Sequence, residues 1–90
     1  MYQIARTTKF KKDYKTIKKR NYDITLLNKV IEILAEGKEL PPKYLDHELK
    51  GNYVGYRECH IKPDWLLVYK IENNILVLTL SRTGTHSDLF

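Results

Sequence analysis

The hydrophobic period of this chain changes once, from helical to alternating, and that change limits the fold more than any other feature. Early in the chain, apolar side chains recur three and four positions apart. Phe10, Tyr14 and Ile17 line one face of a first helix, and Thr7 or Thr8 is placed to cap it. Lys9, Lys11, Lys12, Lys15, Lys18 and Lys19 take up its remaining surface. Asn21 reads as a stop, and Asp23 as the cap of a second helix carrying Ile24, Leu27, Ile31 and Leu34 in one stripe. Leu26, Val30 and Ile33 widen that stripe, which predicts burial on more than one side, partly by a partner. Gly37 suits the left-handed position after a helix end, and Pro41-Pro42 blocks a restart.

From residue 53 onward the period is two. Stretches 53–61, 65–71 and 75–82 read as strands, and 2–5 as a short strand ahead of the helices. Lys62-Pro63-Asp64 is a turn signal, and Asn73-Asn74 tolerates the positive φ of a tight hairpin. Connections this short make the three strands antiparallel. The expected fold is α+β, in the order β-α-α-β-β-β, with two helices on one face of a small antiparallel sheet. Its 90 residues are expected to form one domain, 1–90.

Composition closes off several classes. The single Cys59 gives no internal disulfide and no zinc-finger ligand set. No run approaches the roughly 18 apolar residues of a membrane span. The opening MYQIARTTKF has no apolar core of a signal peptide, so the cytoplasm is the expected compartment, with no membrane partner. The net charge of +5 is unevenly spread: residues 7–20 hold seven basic side chains and one acid, Asp13. Such a Lys cluster is the footprint of a polyanion binder, although a solvated helix face explains it equally well.

Polar residues at strand ends carry more information. His47 sits in the loop before the alternating region, His60 ends the first long strand, and Asp64 stands just across the Pro63 turn. Arg82 ends the last strand, and His86 follows it through Thr83-Gly84-Thr85. Each has an ordinary reading: a solvated loop His, a half-buried sheet His, a turn Asp, or an Arg paired with Asp64 or Glu58. Together they offer three imidazoles, a carboxylate and a guanidinium to the open side of the sheet. That set suits RNA cleavage without a metal. Imidazole can take the 2′-OH proton or supply one to the 5′-oxygen at neutral pH, and Arg can hold the more highly charged phosphate of the transition state. No pair has the usual metal-ligand spacing, so no metal and no cofactor are expected. Cys59 and His60, as neighbours, should point to opposite faces, with Cys59 a packed thiol and not a nucleophile.

Three stretches then stand out: Tyr44-Leu-Asp-His-Glu-Leu-Lys-Gly51, Gly55-Tyr-Arg-Glu-Cys-His-Ile-Lys-Pro-Asp-Trp-Leu-Leu-Val-Tyr69 and Arg82-Thr-Gly-Thr-His-Ser-Asp-Leu-Phe90. With them the whole chain resembles the YafQ branch of the RelE/ParE toxin superfamily. The resemblance implies a RelE-like fold and a type II toxin. Such a toxin is a ribosome-dependent endoribonuclease, an mRNA interferase that cleaves mRNA in the A site and halts translation. It implies a cognate antitoxin, DinJ-like or RelB-like and usually dimeric. It also implies His47, His60, Asp64 and His86 as the catalytic set, with Arg82 stabilising the phosphate, and Trp65 and Phe90 contacting RNA or shaping the site. The expected general acid is His86, with Asp64 or His47 as base. Lys11, Lys12, Lys15, Lys18 and Lys19 would meet ribosomal RNA. Core packing is the competing explanation for Trp65, which shares parity with Leu67, Tyr69 and Ile71, whereas Phe90 reads as a stacking surface for a base. The competing functions are a ParE-like toxin that binds gyrase, and a non-catalytic RNA-binding or co-repressor module. Neither needs the His/Asp set.

Overall fold

A computed structural model describes all residues, Met1–Phe90. Helix α1 runs over Thr8–Lys19 and α2 over Ile24–Ala35. The Thr7 hydroxyl accepts from the Phe10 N–H, and the Asp23 carboxylate from the Thr25 N–H, so both helices start where a side chain can satisfy free amide donors. Asn21 takes φ +61 between them, ending α1 as expected.

A five-stranded sheet is built from β1 (Gln3–Arg6), β2 (His47–Glu48), β3 (Arg57–Lys62), β4 (Trp65–Glu72) and β5 (Val77–Gly84), in the order β1-β5-β4-β3-β2. The β2, β3, β4 and β5 neighbours are antiparallel, as short connections require. β1 differs: it pairs with β5 in parallel, which makes the sheet mixed. Its partner lies across the whole helical layer and not across a hairpin, so direction is free to be parallel.

Two strands start later than their alternation suggests. Gly55 takes φ +91 and Gly51–Tyr53 forms a 3-10 turn, so β3 begins at Arg57. In the second hairpin the positive φ falls on Leu76, at +52, and not on Asn73-Asn74; Ile75 and Leu76 stay exposed in the turn. A four-residue α3, His86–Leu89, closes the chain.

The helices cover one face of the sheet. Phe10, Ile17, Leu27, Val30, Ile31 and Leu34 meet Cys59, Trp65, Leu67, Tyr69, Leu78 and Leu80 in the larger core. All seven apolar residues of the α2 stripe are buried or half-buried within the chain. Ile24 and Leu26 pack against this core, so the chain's own packing takes up part of the widened stripe, and Ile24, Leu26 and Ile33 each stay partly exposed. The opposite face carries a smaller cluster, Leu66, Val68 and Leu89, with Leu49, Tyr53 and Tyr56 against it.

Beyond Arg6, β1 stops and the edge of β5 is unpaired by any strand. Helix α1 closes that edge instead. The Thr7 hydroxyl donates to the Ser81 carbonyl (2.8 Å), and the Thr83 N–H donates to the Asp13 carboxylate (3.1 Å).

Candidate active site

His47, His60 and His86, forecast from the sequence, converge with Asp64 on the face away from α1 and α2. On β3, Cys59 points into the helical core while Glu58 and His60 point the other way. The three imidazoles stand in a row, with His60 in the middle. Ring centroids are 6.3 Å apart for His47 and His60, and 5.8 Å for His60 and His86.

Backbone carbonyls fix two of these rings. A carbonyl only accepts, so His47 donates its Nδ1–H to Leu45 (2.7 Å) and His60 donates its own to Pro63 (3.3 Å). Both Nε2 atoms then face one carboxylate, that of Glu58, at 3.8 and 3.7 Å. Glu58 is buried, 6% exposed; the His60 ring beside it is largely shielded from water, whereas the His47 side chain is half exposed.

Glu58 entered the sequence reading only as a possible partner for Arg82. Two signals locate it. It lies two residues before His60 and so shares its strand face, and it is the register partner of His47. The second signal depends on β2, a two-residue strand too short to be read from alternation.

His86 is held differently. Asp64 Oδ1 accepts both from the His86 backbone N–H (3.0 Å) and from Nδ1 (2.7 Å). These bonds, the backbone one first, hold the Asp64 carboxyl below its usual range. Asp64 thus remains a carboxylate and leaves Nε2 of His86 facing outward. The Asp64 partner is His86 and not His60, despite the tight turn that brings Asp64 close to β3.

α3 aims His86. Thr85 and Asp88 form a reciprocal capping box: the Thr85 hydroxyl accepts from the Asp88 N–H (3.2 Å), and Asp88 accepts from the Thr85 N–H (2.9 Å). The Thr-x-x-Asp spacing was the available sequence signal for this helix. Gly84 is required by close approach, because a Cβ there would lie 2.9 Å from Asp88 Oδ2.

Arg82 is not paired with Asp64 or Glu58. Its Nε and Nη2 donate to the two oxygens of Asp13 on α1, at 2.7 and 3.1 Å. Nη2 also lies 3.4 Å from the Asp88 carbonyl, while Nη1 takes no partner within the chain. The forked edge expected to grip phosphate is therefore occupied, and Nη1 is the part left free.

Trp65 is corrected as an RNA contact. It is 3% exposed, packs edge-on against Tyr22 at 4.9 Å and donates its indole N–H to Thr83 (3.0 Å). Its parity with Leu67 and Tyr69 decides its place: it supports the site from the core and offers no stacking face. Phe90 is 61% exposed and meets the Tyr53 ring edge-on at 5.5 Å. Lys11, Lys12, Lys15, Lys18 and Lys19 are all exposed. Cys59 is fully buried, and burial pushes its thiol up, so it is a packed residue.

Folding assembles one ligand set that sequence spacing did not show. Glu58, His60 and His86 each offer an atom within 4.8 Å of the others. Two imidazoles and a carboxylate suit zinc or copper.

Fold and matched residues together make this chain a small bacterial toxin of the type II toxin–antitoxin class. It belongs to the YafQ family, whose family model, described as the bacterial toxin of type II toxin–antitoxin system YafQ, matches residues 2–90. The chain is 40% identical over 82 residues to the mRNA interferase toxin YafQ of Escherichia coli K12, a match covering 90% of this chain and 87% of the relative. An mRNA interferase is an endoribonuclease, and this is the enzyme class of the chain. Among solved structures, a metal-bound toxin from Helicobacter pylori superposes with TM-score 0.94 at 49% identity, covering 100% of both chains. The E. coli DinJ–YafQ complex gives TM-score 0.92 at 37% identity, covering 100% of this chain and 99% of the other. No helix is long and apolar enough to cross a membrane.

Proposed function

We propose that this chain cleaves mRNA in the ribosomal A site by acid/base chemistry that needs no metal, and that a DinJ-like antitoxin neutralises it in the cytoplasm. The observation that carries the reading is the Asp64–His86 pair at 2.7 Å, set 5.8 Å from the His60 ring. Asp64 holds Nδ1 of His86 and turns Nε2 outward, where it is placed to protonate the departing 5′-oxygen. His60, with Nδ1 committed to Pro63, offers Nε2 as base to the 2′-OH; Glu58 beside it stabilises the proton taken up, and His47 shares that carboxylate. Asp64 orients the acid in place of acting as base, since its lowered basicity makes it a poor acceptor. The 2′-oxygen then bonds to phosphorus, the bond from phosphorus to the 5′-oxygen breaks, and Arg82 Nη1 stabilises the extra charge. Products are a 2′,3′-cyclic phosphate and a 5′-OH.

Support for ribosome docking comes from the exposed lysines of α1, which give sequence-independent affinity for rRNA phosphates. The relative in the DinJ–YafQ complex supports an antitoxin partner. The decisive experiment maps cleavage of a message on stalled ribosomes and on naked RNA, with end-group analysis of the fragments. Cuts at the A-site codon ending in a cyclic phosphate are expected. A 3′-OH end contradicts the chemistry, and equal cutting of naked RNA contradicts the ribosome requirement.

A further inference from the structure

The one acid in the Lys-rich stretch of α1 has no part in the reading above, yet it is the most heavily engaged side chain on that helix. Asp13 lies on the inner seam of α1, three residues after Phe10 and four before Ile17, both buried. It accepts three hydrogen bonds: from Arg82 Nε at 2.7 Å, Arg82 Nη2 at 3.1 Å and the Thr83 N–H at 3.1 Å. Its side chain is 14% exposed and that of Arg82 is 20% exposed. Two helical turns further on, at the C-cap of α1, Arg20 reaches Asp88 at 2.6 and 3.1 Å. Helix α1 thus sends one acid inward and its C-cap offers one exposed base, and the segment 82–88 answers with one base and one acid. Between them lies His86.

A packed helix seam does not need such pairs for stability. Removing two charges from water offsets most of their attraction, and apolar residues of similar volume usually serve as well. What a forked Arg–carboxylate pair adds is a fixed plane and direction. Here the fork takes the Nε–Nη2 edge and leaves Nη1 as the free donor. The same carboxylate caps the Thr83 N–H on the β5 edge, so it fixes the guanidinium and the strand that carries it together.

From this we infer that Asp13 is a positioning residue for the cleavage reaction: it holds Arg82 so that Nη1 meets the scissile phosphate, and it makes the RNA-docking helix part of the active site. The inference rests on the RNA-cleavage reading above, and the test separates the two. If the unaltered chain does not cut RNA on ribosomes, that reading fails; if it does, the Asp13 variants decide the inference. Asp13→Asn keeps the shape and removes the charge. Its kcat should fall about 10- to 100-fold, the scale of a misplaced catalytic group, while KM for ribosomes stays within twofold because the lysines are intact. Asp13→Glu should recover part of the loss. In an Arg82→Ala background, Asp13→Asn should cost nothing more, as expected of residues acting as one unit. A kcat within twofold of the parent overturns the inference, as do losses that multiply in the double variant. A purely anchoring role would lower melting temperature and raise KM without the kcat split. Should Asp13→Asn not fold, the unaltered chain still answers. The Arg82 Nε–H should be protected from exchange and stay protected when a 2′-deoxy RNA analogue binds on the ribosome. Loss of that protection on binding would mean that Arg82 leaves Asp13 to act, and would overturn the proposal.

Discussion

Two carboxylates hold two partners at the same 2.7 Å, Asp13 with Arg82 and Asp64 with His86, yet they sit in different surroundings. The side chains of the first pair are 14% and 20% exposed, and those of the second 66% and 55%. The same bond length therefore serves different ends. A shielded pair keeps most of its Coulomb energy and resists rearrangement, so it suits fixing a guanidinium. An open pair is screened and adds little to stability, but a substrate can reach it and a proton can enter and leave. Breaking the first should cost both stability and the placing of Arg82, whereas breaking the second should cost proton transfer and leave stability nearly untouched.

The largest expected effect breaks the open side. His86→Ala removes the proposed acid and should lower cleavage by about 10²- to 10⁴-fold. Its melting temperature should match the parent, because the ring is exposed and Asp64 remains solvated without it. Transcript mapping with a thermal melt on the same preparation checks both halves. An active His86→Ala chain would remove the open pair from the chemistry.

Second comes a divalent ion. Zn²⁺ or Cu²⁺ bound by Glu58, His60 and His86 would tie up both the proposed acid and the proposed base, so it should inhibit, with recovery on chelation. Loss of one ligand in His86→Ala should weaken binding of the ion about 10- to 100-fold, which calorimetry reads directly. Unchanged affinity would place the ion elsewhere and leave the open site without a metal role. The shielded pair has no imidazole and should not respond.

How far the sequence reached follows the same division. Local signals were legible: Thr7 and Asp23 cap helices because a side-chain oxygen two or three residues before an amide is a short-range matter. The alternation of β4 was legible too, although Trp65, which shares its buried parity, was expected to contact RNA and instead packs in the core. His47, His60, Asp64 and His86 were legible as a set because strand ends and turns must project polar groups. Contacts across the chain were not. The Arg82–Asp13 pair spans 69 positions and depends on α1 replacing a strand at the β5 edge. Glu58 was hidden because a two-residue strand such as β2 leaves no period to read. Parallel β1 was hidden because nothing local fixes the direction of a strand whose partner lies some seventy residues away.

Third in size is the stability cost of breaking the shielded side. Arg82→Ala leaves Asp13 partly buried with only the Thr83 N–H, which should cost about 1–3 kcal/mol. For a chain of this size each kcal/mol moves the melting temperature by about 4–8 °C. Asp64→Asn, on the open side, should leave stability nearly unchanged, as exposed substitutions do. Denaturant titration of the two variants measures the contrast. If Asp64→Asn proved the more costly, stability would rest on the open pair and the comparison would invert.

The smallest effect appears in acid. The Asp64 carboxyl is held low by the His86 backbone N–H and then its ring; that of Asp88 is held lower, first by the Arg20 guanidinium and then by the Thr85 N–H. Both groups take up protons less readily in the folded chain than in the unfolded one. Their contribution is therefore complete above the unfolded aspartate value of about 3.9 and is lost as pH falls through the lower folded values. Between pH 5 and 8 neither should tilt the stability curve; the decline belongs below about pH 4. Solvent screens both, so the slope is shallow. Asp88 lies on the strap between α1 and the C-terminal segment, where it accepts a guanidinium fork and a capping bond, and its side chain is 27% exposed against 66% for Asp64. Asp88→Asn should accordingly flatten the acid limb more than Asp64→Asn. Melting temperatures from pH 2.5 to 6 for the parent and both variants decide the order, and the reverse order would mean that the open pair resists acid better than the strap that steadies it.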